Sequence, residues 1–84
     1  MIVKAKIDIC KESGEAVKSL SYTTELGAQN DFDDFYKGKQ PLPGFDRSHH
    51  LSEFYTGGTV GFVRLYAIDE HGINYMRREL FINV

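Results

Sequence analysis

The chain has 84 residues and a formal net charge of −2, from ten basic and twelve acidic side chains, and 42% of it is hydrophobic, with eleven Phe and Tyr but no Trp. This length suits one domain, residues 1–84, around one two-layer core, and the mixed charge with ample apolar content excludes a disordered chain. The balanced charge gives no general attraction to duplex DNA or anionic lipid, and a lone Cys10 excludes an intrachain disulfide and a cysteine-based metal cluster.

Residues 2–10 alternate, with Val3, Ala5, Ile7 and Ile9 on one side and Lys4, Lys6 and Asp8 on the other, the period of a half-buried strand. That alternation also differs from the unbroken apolar run of a secretion signal, and no stretch approaches the ~18 apolar residues of a membrane span, so a soluble cytoplasmic protein is expected. "KESGE" supplies a turn and "AVKSLSYTTEL" a second strand. A four-residue loop, Lys11 to Gly14, sets Ala5 opposite Leu20 and Val3 opposite Tyr22 and keeps the apolar residues together. A three-residue loop would face Ile7 and Ile9 with Ser19 and Val17 and turn Leu20 and Tyr22 to the lysine side.

"NDFDDFYKG", residues 30–38, predicts a short helix capped by Asn30, with acids in its first turn, Phe32, Phe35 and Tyr36 at helical spacing and Gly38 as its stop. Pro41 and Pro43 break the chain in "KQPLPG". "DRSHHLSEFYTGG" has the spacing for one or two further helical turns presenting Leu51, Phe54 and Tyr55. From residue 59 two β-rich runs meet at His71-Gly72 and predict a second hairpin. A two-residue loop there sets Arg64 opposite Glu79 and Phe62 opposite Phe81, whereas a three-residue loop sets Arg64 against Arg78.

These elements predict an α+β fold: two antiparallel β-hairpins forming a sheet of about four strands, with one or two short helices between them (ββ-α-ββ). The expected core is Val3, Ile7, Ile9, Leu20, Phe32, Phe35, Leu51, Phe54, Val63, Leu65, Met76, Leu80 and Ile82. The last strand is expected either deep in the sheet or at an edge open to strand addition, including by a second copy of the chain.

In the preferred register Phe62, Arg64, Tyr66, Tyr75, Arg77 and Phe81 share one face of the last hairpin. Aromatics interleaved with arginine have the composition of protein-interface hot spots. They would also suit stacking of unpaired bases, although Glu79 dilutes the positive charge that tracking phosphates requires. Asp31, Asp33 and Asp34 form an acidic group that could meet a basic protein surface, without the ladder, glycine and closing glutamate of a calcium loop.

Asp46, His49, His50 and Glu53 include metal-ligating residue types, and His49 and Glu53 stand one helical turn apart. His50 would point about 100° away from His49 on a helix, and no HExxH or cysteine partner accompanies them, so no metal or other cofactor is assigned. Neither a nucleophile elbow nor a phosphate loop is present. The expected function is a non-enzymatic protein-binding domain, a small inhibitor or accessory factor of the phage or mobile-element type docking on a larger protein complex. The alternatives are a single-stranded nucleic-acid binder and a small metal-dependent enzyme.

Overall fold

The computed structural model describes residues 1–43 and 60–82. It contains strands β1 (Ile2–Lys11) and β2 (Ala16–Tyr22), helix α1 (Glu25–Tyr36), and strands β3 (Val60–Asp69) and β4 (Asn74–Phe81). The strands form one antiparallel sheet in the order β2-β1-β3-β4, with α1 packed on one face. The α+β arrangement therefore stands as the sequence predicts it. The segment expected to form further helical turns, with Leu51, Phe54, His49, His50 and Glu53, lies outside the described residues.

Both hairpins close by the same device. In the first, the Gly14 amide donates to the Lys11 carbonyl and the Lys11 amide to the Glu15 carbonyl, both at 2.9 Å, with Gly14 at φ +93°. In the second, Gly72 donates to Asp69 at 3.0 Å and Asp69 to Ile73 at 3.1 Å, with Gly72 at φ +81°. Each loop thus has three residues, Glu12–Gly14 and Glu70–Gly72, and each needs the left-handed backbone that glycine adopts without a Cβ clash.

The expected loops of four and two residues are therefore corrected, yet the apolar faces survive because each outer strand carries a bulge. Val17 is the extra residue between the pairs Ile9↔Lys18 and Cys10↔Ala16, which places Leu20 opposite Ile7 and Tyr22 opposite Ala5. Arg77 is the extra residue between Leu65↔Arg78 and Tyr66↔Met76, which preserves Arg64↔Glu79 and Phe62↔Phe81.

The hairpins are related by an approximate twofold axis through the Ile7↔Leu65 pair. Ala5↔Tyr22 and Ile7↔Leu20 have as counterparts Val63↔Leu80 and Leu65↔Arg78, and Gly14 has Gly72. Even the irregularities at the two ends of the β1–β3 ladder correspond, Val3 being extra at one end and Gly61 at the other. At Gly61 a Cβ would lie 2.8 Å from the Glu12 Cα, so this crossing requires glycine for space alone.

The helix begins earlier than the sequence suggests. Thr24, not Asn30, caps it, its Oγ1 accepting from the Gly27 amide at 3.1 Å, so residues 23–26 leave the expected second strand. It ends as expected: the Gly38 amide donates to Phe35 and the Lys39 amide to Asp34, the paired bonds of a Schellman motif. Ala28, Phe32 and Phe35 bury against Ala5, Ile7, Ile9, Val63 and Leu65, joined by Leu42 from between the two prolines. Leu20, Leu80 and Ile82 flank this core as expected, whereas Val3 and Met76 are exposed. Val3 sits in the bulge of β1, and the bulge at Arg77 turns Met76 away from the helix.

Candidate functional site

Opposite residues in a ladder share a face, so the register assigns the side of the sheet away from α1. It carries Lys4, Lys6, Asp8 and Cys10 from β1, Phe62, Arg64, Tyr66 and Ile68 from β3, and Met76, Glu79 and Phe81 from β4. Among the described residues no helix covers it.

The face is ordered by contacts between neighbouring strands. Phe62 and Phe81 meet edge to face, with centroids 5.1 Å apart and planes at 69°. The Arg64 guanidinium lies 4.8 Å from the Phe62 ring centre while its Nε is 2.5 Å from Glu79 Oε2. Lys6 Nζ sits 5.1 Å above the Tyr66 ring and 3.1 Å from Asp8 Oδ2, and Ser19 Oγ donates to Asp8 Oδ1 at 2.6 Å. Asp8 is thus a buried carboxylate with both oxygens engaged. Burial, reinforced by the Asp8 charge, pushes the Cys10 thiol above its usual value. Phe81 and Met76 are the large apolar side chains this face leaves in solvent, at 61% and 56% exposure.

Of the six residues expected to share a face, the structure unites Phe62, Arg64, Tyr66 and Phe81 and moves Tyr75 and Arg77 to the helix side. Tyr75 stands opposite the buried Ala67, and its hydroxyl donates to Asp69 Oδ2 at 2.9 Å. Arg77 Nε is 3.6 Å from Glu25 Oε1 on α1. The physical reason is the bulge: one extra residue inverts the alternation for everything between it and the turn. Arg78, the charged residue at a core position, pairs with Asp33 and spreads over the rings of Phe32 and Tyr36, at 4.6 and 5.7 Å.

Asp31 and Asp33 do not share one patch. Asp31 accepts from the Tyr22 hydroxyl of β2 at 2.7 Å, whereas Asp33 reaches Arg78 of β4, the opposite edge of the sheet. Because α1 starts at Glu25, Asp33 and Asp34 lie in its last turn, where the dipole disfavours acids. Arg78 compensates Asp33, and its hydrogen bond holds that carboxyl below the usual range.

Lys4, Lys6, Asp8 and Cys10 of β1, and Met76 of β4, are members of the face that the sequence reading of the last hairpin omits. The lysine side of β1 was legible in its alternation, but its place beside Tyr66 and Arg64 follows only from the β1–β3 pairing. Met76 carried no such signal, since a bulge leaves no mark on the hydrophobic pattern. Among the described residues no group of three His, Cys, Asp or Glu could hold a metal ion. No helix among them is long and apolar enough to cross a membrane. No family model, curated protein or solved structure matches this chain.

Proposed function

We propose that the protein is a non-enzymatic binding protein, a small inhibitor or accessory factor of the kind carried by phages and mobile elements, and that it docks on a larger protein through the sheet face away from α1. One observation carries this reading: Phe81, beside Phe62, and Met76, beside Tyr66, stand exposed on one pleated surface, where a fixed backbone presents them. Anchors of this kind, ringed by polar groups, provide most of the affinity of protein interfaces. Phage or mobile-element type is an analogy of size and composition.

Lys6 and Arg64 stacked on aromatic rings would also suit unpaired bases. Carboxylates occupy both cations, Asp8 and Glu79 respectively, which weakens the attraction for phosphates and favours a protein partner.

The test is capture from a lysate of the source organism on the immobilised protein, with and without nuclease. Three baits are compared: the parent chain, Met76→Glu with Phe81→Glu, and Tyr75→Ala with Arg77→Glu, each confirmed folded by circular dichroism. A protein captured stoichiometrically by the first and third baits, lost about 30-fold or more on the second and indifferent to nuclease, supports the reading. Capture unchanged on the second bait overturns the face, and capture abolished by nuclease overturns the protein partner.

A further inference from the structure

We draw no further inference here: the strongest candidate, the outer edge of the sheet along β4 and its turn, where Ile73, Tyr75, Met76 and Phe81 stand exposed, overlaps the face already described, and nothing in the structure shows what covers the remainder.

Discussion

Asp69 closes the β3–β4 turn almost alone. Its Oδ1 accepts from the amides of His71 and Ile73, each at 2.9 Å, and its Oδ2 from the Tyr75 hydroxyl. The Ile73 amide, then the Tyr75 and His71 donors, hold this carboxyl below its usual range. A folded-state pKa below the unfolded one stabilises the fold above the unfolded value of about 3.9, and that contribution is lost as pH falls through the folded value. Asp69→Asn is therefore expected to lower Tm at pH 7, by an amount that shrinks as pH drops below about 4. A Tm deficit independent of pH would show that the charge has no part in it. Gly61 makes a different demand, because the backbone of Glu12 occupies the space a Cβ needs. Gly61→Ala should cost about 1–3 kcal/mol in urea denaturation, the range for overpacking a tight contact.

The outer strands are shaped by their bulges more than by their residue types. Arg77 is the extra residue of β4, so deleting it joins Tyr66↔Met76 directly to Leu65↔Arg78 and removes the half-exposed pair with Glu25 and the guanidinium's distant contact with the Tyr75 ring at 6.0 Å. Such a deletion is expected to cost about 1 kcal/mol or less. Deleting Asp8 from the regular middle of β1 must instead turn either Ala5 and Ile7 or Ile9 out of the core, and this variant should not fold. Circular dichroism melts of the two deletions check both outcomes, and equal damage would overturn the assignment of Arg77 as surplus. In α1, Thr24→Ala removes the acceptor of the Gly27 amide and is expected to cost about 1 kcal/mol, whereas Asn30→Ala, well inside the helix, should not destabilise.

Across the sheet, β1 and β3 are paired on both sides, and β2 and β4 are edges. Hydrogen exchange should therefore be slowest in β1 and β3, and the amides of β4 that point away from β3 should exchange like exposed backbone. Protection of those outward amides that rises with protein concentration would reveal pairing of β4 with a second copy, and sedimentation equilibrium would then show a dimer. Concentration-independent fast exchange would leave the proposed face as the surface to pursue. The edge strand bears Arg77, Arg78 and Glu79 near its middle, the kind of charge that discourages indiscriminate strand addition.

Alternation in residues 2–10 and the β-branched and aromatic runs after residue 59 were enough to identify two hairpins. Phe32 and Phe35 followed by Gly38 identified a helix and its end, because period and turn chemistry are local properties of the chain. The α+β arrangement and most of the core follow from these. Loop length and the composition of the candidate face do not, since each depends on energy differences between partners distant in sequence. Two loops of three residues would, on their own, pair Arg64 with Arg78 and turn Leu20 outward. Bulges at Val17 and Arg77 restore the burial of the core, and burying apolar side chains outweighs the ladder bonds a bulge disrupts. The bulge at Arg77 also carried Tyr75 and Arg77 to the helix side and Met76 to the other. The pairing of β1 with β3 then placed Lys6 and Asp8 beside Tyr66 and Arg64, a juxtaposition that strands some sixty residues apart acquire only when the sheet closes.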